Sequence, residues 1–216
     1  MDASHLAPGN GFELLRRFAK ARAPVERCDL CGLEIGPEHE HLLDPTERRL
    51  TCTCGACAVL FSTRSGTRLK RVPREVTALD GLTISDAQWD TLRLPIDLAF
   101  FYDSSAQGRV VACYPSPAGA TESLLELETW EELARSHPLV AAMQPDVEAL
   151  LVNRVRRGGM SESCFLVPID QCFRLVGLIR MHWKGFTGGG EVWQEIDRFF
   201  ADLRRIARPP RQALHA

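Results

Sequence analysis

The sequence has almost no excess of charge, and it lacks any long apolar run. Its 216 residues hold 26 lysines and arginines against 28 acidic residues, a net charge of −2. Such a balance gives no general attraction to nucleic acid or to an anionic membrane surface. The sequence also has no uninterrupted apolar run of about 18 residues, the minimum for a spanning helix. We therefore expect no membrane insertion, and we do not expect nucleic acid as the main partner.

Recognisable export and nucleotide-binding motifs are also missing. The first ten residues, MDASHLAPGN, have neither a basic start nor the apolar stretch of a signal peptide. The glycine-rich segment at residues 185–190 matches neither the P-loop nor the dinucleotide-binding fingerprint. We expect a cytoplasmic protein, in which the eight cysteines are reduced thiols and not a disulfide framework. No nucleophile with a plausible base can be identified, so the sequence does not favour an enzyme.

Five of the eight cysteines lie within residues 28–57, which is the most informative feature of the chain. A C-x-x-C pair turns the backbone so that both sulfurs face one point, and two such pairs complete a tetrahedral thiolate site. The spacing between the two pairs, twenty-two residues, slightly exceeds the usual 15–20. We predict a zinc site, with a rubredoxin-like iron site as the alternative. The predicted ligands are Cys28, Cys31, Cys54 and Cys57.

Three nearby residues could replace one of these ligands. Cys52 and Cys54 are two residues apart, so on an extended strand both side chains would share a face and reach the metal. His39 and His41 lie in the segment between the two pairs and could supply a nitrogen ligand. We treat these three residues as alternative ligands, because four thiolates already close a structural site.

A closed four-cysteine site has no open position for a substrate, so the predicted role of this metal is structural. A basic stretch follows directly after the second pair. It could contact nucleic-acid phosphates or an acidic partner, or it could simply be a solvated strand edge that discourages aggregation. Its members are Arg64, Arg68, Lys70, Arg71 and Arg74.

The pattern along the chain divides it into four parts. Residues 1–24 form a tail and a short amphipathic helix, and residues 25–79 form a zinc-ribbon or rubredoxin-like module with strands at 48–52 and 58–61. Residues 80–208 form an α+β domain, and residues 209–216 form a C-terminal tail. Residues 1–74 are mildly basic, with 12 lysines and arginines against 9 acidic residues, whereas residues 75–216 have 14 against 19.

Strands and helices alternate irregularly in the predicted α+β domain at residues 80–208. Strands are predicted at residues 94–101, 109–114, 147–155 and 163–169, with a loop at 115–119. Helices are predicted from Ser85 as a capping residue, at 128–136, from Asp170 as a capping residue through 173–183, and at 192–206. This order favours a mostly antiparallel sheet with flanking helices, an α+β fold.

Several motifs, in this order, are similar to those of one bacterial family. They are the two cysteine pairs, the loop EHEHLLD ending at Asp44, the string YPSPAGATES from Tyr114 to Ser123, the segment LVPID ending at Asp170, and the glycine segment after Trp183. They resemble an uncharacterised domain-of-unknown-function family whose genes recur beside [NiFe]-hydrogenase and hydrogenase-accessory genes. The resemblance implies a cytoplasmic accessory or assembly role and supplies no catalytic residues.

The sequence therefore predicts a metal-binding accessory protein that engages a protein partner. The resemblance suggests a hydrogenase subunit or maturation factor as that partner. Two alternatives remain open: an electron-transfer protein with cysteine-ligated iron, and a nucleic-acid-binding zinc ribbon.

Overall fold

The computed structural model describes residues 25–63, 66–123, 127–156, 162–185 and 188–209. The predicted N-terminal tail and helix at residues 1–24 lie outside the described residues, as does nearly all of the tail at 209–216. The described residues form an α+β fold with two antiparallel sheets and flanking helices. This agrees with the α+β class and the mostly antiparallel sheet with flanking helices expected from the sequence. None of the helices in these ranges has the length and apolar character that crossing a membrane requires.

A small three-stranded sheet carries the N-terminal part. Its strands are β1 (Glu40–Asp44), β2 (Arg49–Thr53) and β3 (Lys70–Arg71), in the order β2-β1-β3. The Asp44 carboxylate accepts hydrogen bonds from the backbone N–H of Thr46 at 2.9 Å and of Glu47 at 3.2 Å, which closes the turn between β1 and β2. The strand predicted at residues 48–52 is thus found one residue later.

The strand predicted at residues 58–61 is wrong, because this segment lies in helix α1 (Gly55–Thr63). The helix begins at the second cysteine pair, where the Ala58 N–H donates to the Cys54 carbonyl at 2.9 Å. Cys57 and Ala58 are buried, whereas Val59 and Leu60 are both exposed. Two consecutive buried residues followed by two exposed ones fit a helical face and not the alternation of a strand. A short apolar run does not distinguish the two structures by itself.

The larger sheet has six strands in the order β4-β9-β8-β5-β6-β7, and every neighbouring pair is antiparallel. The four strands predicted in this region are all present. The strands are β4 (Thr77–Ala78), β5 (Leu98–Ser104), β6 (Arg109–Ser116), β7 (Gly119–Ser123), β8 (Glu148–Asn153) and β9 (Ser163–Pro168).

The loop predicted at residues 115–119 is wrong, because β6 continues through Ser116 and β7 begins at Gly119. Ser116 and Gly119 face each other as the last pair of this hairpin. The Ser116 hydroxyl donates to the Gly119 carbonyl at 3.0 Å and accepts from the Ala118 N–H at 3.2 Å, so one side chain closes the turn. Prolines and a glycine favour a loop in the sequence, but here they mark a tight hairpin.

Both faces of the large sheet are covered by helices. On β5, Phe100 belongs to the apolar cluster under α5 and α6, and its neighbour Phe101 belongs to the cluster under the other helices. This alternation lets each strand contribute to two cores, and each fully buried side chain contributes about 1.5–3 kcal/mol. The helices are α2 (Asp86–Thr91), α3 (Leu127–Ser136), α4 (Pro138–Ala141), α5 (Ile169–His182) and α6 (Gly189–Ile206).

The helix starts agree only in part with the sequence-based expectation. Ser85 caps α2 as predicted, in a reciprocal capping box with Gln88. Asp170 does not cap α5, because the helix already begins at Ile169 with Pro168 in the capping position. The Asp170 carboxylate instead lies in the first turn and contacts His41 of the small sheet, with Oδ2 at 2.8 Å from Nδ1.

The small sheet packs directly against the larger one. Leu43, Val72 and Val76 belong to the same apolar cluster as the inner residues of α5 and α6. A buried polar contact reinforces this packing, since the Lys70 ammonium donates to Asp146 Oδ2 at 2.5 Å. Asp146 also accepts from the Ser105 N–H at 2.8 Å and from its hydroxyl at 2.6 Å.

Replacing Asp146 with asparagine tests this contact. Burial alone would raise the pKa of Asp146, but the hydrogen bonds from Lys70 and Ser105 outweigh it, so the pKa is lowered. The ionised carboxylate therefore stabilises the fold above the ordinary aspartate pKa of about 4, and this contribution is lost as the pH falls through the lowered value. Asparagine tolerates the φ of 73° at this position. We expect Asp146→Asn to lower the free energy of unfolding at pH 7 by about 1–3 kcal/mol in urea titrations.

The exposed pair between Asp202 and Arg205 supplies the control. Asp202→Asn removes a carboxylate 3.3 Å from a guanidinium on the surface of α6, and its effect is expected to stay below about 0.5 kcal/mol. Equal losses for the two variants, or a difference that does not shrink as the pH falls below the ordinary aspartate pKa of about 4, would contradict the role given to Asp146.

Candidate metal centre

The first cysteine pair lies in a tight turn stabilised by its own backbone. The Cys28 N–H donates to the Leu33 carbonyl at 2.8 Å, and the Gly32 N–H donates to the Cys28 carbonyl at 2.8 Å. Gly32 has a φ of 75°, a backbone conformation that costs glycine little and other residues more. Cys31 is therefore carried on a turn that brings it back toward Cys28.

The second cysteine pair spans the junction between β2 and α1. Cys54 follows the strand directly, and Cys57 lies in the first turn of the helix. Free N–H groups at a helix start favour negative charge, so this is a suitable place for thiolate ligands. The helix is what turns the two side chains of this pair toward the first one.

The sulfurs of the two cysteine pairs come together in the fold. Those of Cys28, Cys31, Cys54 and Cys57 all lie within 4.8 Å of one another. Between Cys31 and Cys54 the Sγ–Sγ distance is 3.8 Å. Tetrahedral thiolate coordination of zinc, with bonds of about 2.3 Å, separates the sulfurs by about 3.8 Å. The group could therefore hold a metal ion with little rearrangement.

Two of these thiols, Cys28 and Cys57, differ in how readily they lose a proton. Burial opposes ionisation of Cys28, but hydrogen bonds from the backbone of Cys54, Leu30 and Cys31 outweigh it and lower the pKa of this thiol to about 6. Burial, together with the three neighbouring thiols, raises the pKa of Cys57 to about 12. Without a cation the group therefore does not ionise fully at neutral pH, and binding a divalent ion would release protons.

A backbone pairing joins the two cysteine turns. Asp29 lies between the cysteines of the first pair, and its N–H donates to the Cys52 carbonyl at 2.9 Å. The Cys52 N–H in turn donates to the Asp29 side chain at 2.8 Å. Because β2 is an edge strand of the small sheet, this pairing uses hydrogen-bonding groups that the sheet leaves free.

The three alternative ligands, His39, His41 and Cys52, form a separate group. The candidate ligand atoms of His39, His41 and Cys52 lie within 4.8 Å of one another, and Cys52 is not among the four clustered sulfurs described above. Cys52 and Cys54 diverge because the chain leaves the strand after Thr53 and enters α1, so the two-residue alternation no longer applies.

The remaining cysteines do not resemble nucleophiles. Cys113, Cys164 and Cys172 are buried in the large sheet and in α5. Burial raises the pKa of Cys113 and of Cys164 to about 12, and it raises that of Cys172 well above the ordinary value. A thiol that stays protonated is a weak nucleophile, so these residues act as small apolar side chains.

Most described members of the basic stretch have acidic partners within the fold. Arg71 donates to Glu40 at 2.9 Å, Arg74 lies 3.6 Å from the same carboxylate, and Lys70 pairs with Asp146. Arg68 is exposed, and Arg64 lies outside the described residues. These pairs neutralise much of the charge that phosphate binding would require, which weighs against the nucleic-acid interpretation.

These features define an α+β protein with a four-cysteine group of metal-binding type at its N-terminal end. The chain belongs to the family of unknown function DUF5947, which matches residues 27–207. No curated protein and no solved structure matches it. The family match begins just before the first cysteine pair and ends just after α6, so it includes both the small sheet and the large one.

The double variant Cys54→Ser/Cys57→Ser tests the metal ligands. We expect it to purify with at least one equivalent of metal fewer than the wild type by elemental analysis, and with a free energy of unfolding several kcal/mol lower. Cys113→Ala is the control, because it removes a buried thiol from the sheet without touching the four-cysteine group. Full metal content and unchanged stability in the double variant would refute the assignment.

Proposed function

We propose that this protein is a metal-binding accessory protein whose four-cysteine centre holds a structural zinc ion and supports a surface for a protein partner. The observation that carries the proposal is the position of apolar side chains on both sides of that centre. The proposal places the protein in the cytoplasm, where its free cysteines would stay reduced.

A structural role follows from the number of ligands. Four thiolates complete a tetrahedral site, so zinc bound there would have no open position for a substrate. The two turns that carry the cysteines contain little apolar core of their own, since only Cys28, Cys57 and Ala58 in residues 28–31 and 54–63 are buried. Metal bonds would therefore supply much of what holds these segments in place.

The segments around the centre expose large apolar side chains to solvent. Leu33 of the first turn is 60% exposed, and Leu60 of α1 is 58% exposed. Leu30 and Val59 are exposed as well. Apolar residues gathered on a rigid part of the surface are typical of protein interaction sites. The metal would fix their relative positions.

The class of partner follows from the sequence motifs and from the character of the surface. The motif resemblance points to a hydrogenase subunit or a maturation factor for [NiFe] hydrogenase. The mostly internal pairing of the basic stretch is consistent with a protein partner in preference to nucleic acid. An apolar contact surface also fits a protein partner.

Capture of partners from the native host tests this function. We expect tagged wild-type protein to retain specific proteins, hydrogenase subunits or maturation factors among them, and Leu33→Ser/Leu60→Ser to retain at least tenfold less. Met181→Ser is the control, because Met181 is 75% exposed on α5, away from the cysteine turns in the fold. Equal capture by all three proteins would contradict the proposed surface.

One observation favours an electron-transfer function as the second candidate. Cys31 is exposed, unlike Cys28 and Cys57. An iron ion bound by the same four sulfurs would thus have one thiolate ligand at the surface, where an electron could pass to a partner. Tetrahedral sulfur coordination suits iron as well as zinc.

The metal itself distinguishes the two candidates. We expect protein from iron-replete cells to contain zinc at the four-cysteine centre and to show no visible absorption band. Iron in this centre, with thiolate-to-iron bands that disappear in Cys54→Ser/Cys57→Ser, would instead establish the electron-transfer alternative. Elemental analysis and an absorption spectrum on the same sample give both readings.

A further inference from the structure

The strand register brings two histidines and a cysteine to one face of the small sheet. His41 of β1 lies opposite Cys52 of β2. Both backbone polar groups of Cys52 bond to Asp29 on the other edge, so the two strands do not bond at this pair, and side chains approach most closely at such pairs. His39 precedes His41 by two residues, and it points to the same side because side chains alternate along an extended chain. The two rings meet edge to face, with centroids 4.7 Å apart.

His39 is held with one ring nitrogen free. Its Nδ1 lies 2.9 Å from the Gly36 carbonyl and 3.2 Å from a Glu26 carboxylate oxygen. Both partners only accept, so Nδ1 carries a proton. The side chain is 8% exposed, and its Nε2 is buried without a hydrogen-bond partner. Leaving such an atom unpaired costs about 1–3 kcal/mol, so this nitrogen requires an explanation.

His41 is oriented in the same manner by a carboxylate. Its Nδ1 lies 2.8 Å from Asp170 Oδ2 in the first turn of α5, which leaves Nε2 as the available nitrogen. Metal-binding histidines characteristically donate their other N–H to a carboxylate or a backbone carbonyl, which fixes the ring and makes the ligand more basic. His39 and His41 show one example of each arrangement.

We propose that His39 Nε2, His41 Nε2 and Cys52 Sγ form a second zinc site, distinct from the four-cysteine centre. One candidate atom of each residue, a ring nitrogen of each histidine and the Cys52 Sγ, lies within 4.8 Å of the other two, and tetrahedral zinc spaces such ligands by about 3.5 Å. Small rotations of the side chains would close this gap. Imidazole and thiolate ligands together suit zinc better than magnesium or calcium.

The second site differs from the first in having only three protein ligands. His39 and His41 line a cleft of about 770 Å³ between the small sheet and α5. Zinc with three protein ligands and one open position is the arrangement that binds water or an anionic substrate. Arg174 lines the same cleft, and its positive charge would favour a small anion at the open position. Arg74 also lines the cleft, but its charge is already paired with Glu40.

This inference does not depend on the proposed accessory function, because the two groups of ligands share no residue. Loss of the four-cysteine centre and loss of the second site are therefore separable by which variant loses zinc. The first is reported by Cys54→Ser/Cys57→Ser and the second by changes at His39 and His41.

Zinc stoichiometry of the full chain tests the second site. We expect wild-type protein supplied with zinc to bind two equivalents by elemental analysis after gel filtration, and His39→Gln and His41→Gln to bind one while keeping the wild-type circular dichroism spectrum. His182→Gln is the matched control, because His182 pairs with Glu191 at 3.0 Å outside this group, and it should keep two. A single equivalent in the wild type, or two in both histidine variants, would overturn the proposal.

The orienting carboxylate and the open position give two further readings. Asp170→Asn should weaken binding of the second zinc ion by about 10- to 100-fold in a competition titration with a chelator. Protein that carries zinc in the four-cysteine centre and cobalt in the second site should show visible bands that shift on addition of azide, because the open position accepts the anion. Unchanged zinc affinity in Asp170→Asn and bands insensitive to azide would refute the open three-ligand site.

Discussion

The contact between the two cysteine turns is the constraint on which the N-terminal part of this protein depends. The first turn precedes the small sheet in the chain, and the second follows β2, so their sulfurs meet only if the hairpin between β1 and β2 is in register. Asp29 makes this geometry specific, because its backbone and side chain together occupy both polar groups of Cys52. A shift of one residue in β2 would turn Cys52 away from His41 and would also move Cys54 out of the four-cysteine group.

The same hairpin ties the cysteine turns to the rest of the fold. Leu43 of β1 lies in the apolar core beneath α5 and α6, and His41 contacts Asp170 at the start of α5. On the far side, Lys70 reaches the buried Asp146. The part that carries the cysteine turns is therefore held against the large sheet by apolar packing and by two partly buried polar contacts.

The sequence predicts those features that depend on local spacing. Two C-x-x-C pairs indicate the four-cysteine group, and continuous apolar runs indicate the central strands, because both signals lie within a few residues. It fails where long-range contacts decide the outcome. Residues 58–61 are apolar enough for a strand, but the helix start at Cys54 determines their structure. Asp170 has the right residue type for a cap, yet its partner is His41, 129 residues away in the chain. No spacing rule could pair those two residues.

The unpaired nitrogen of His39, together with the neighbouring His41 and Cys52, is what separates a second binding site from an ordinary cluster of polar residues. A buried histidine that served only to stabilise the fold would be expected to use both nitrogens, because leaving one unpaired offsets most of what a hydrogen bond at the other contributes. Here Nδ1 is satisfied and Nε2 is not, in a ring that lies against that of His41. Asp170 adds a second unpaired buried atom, Oδ1, beside the same cleft. A cation bound at His39 Nε2 would supply the partner that this nitrogen lacks. The arrangement is therefore better explained by binding than by stability.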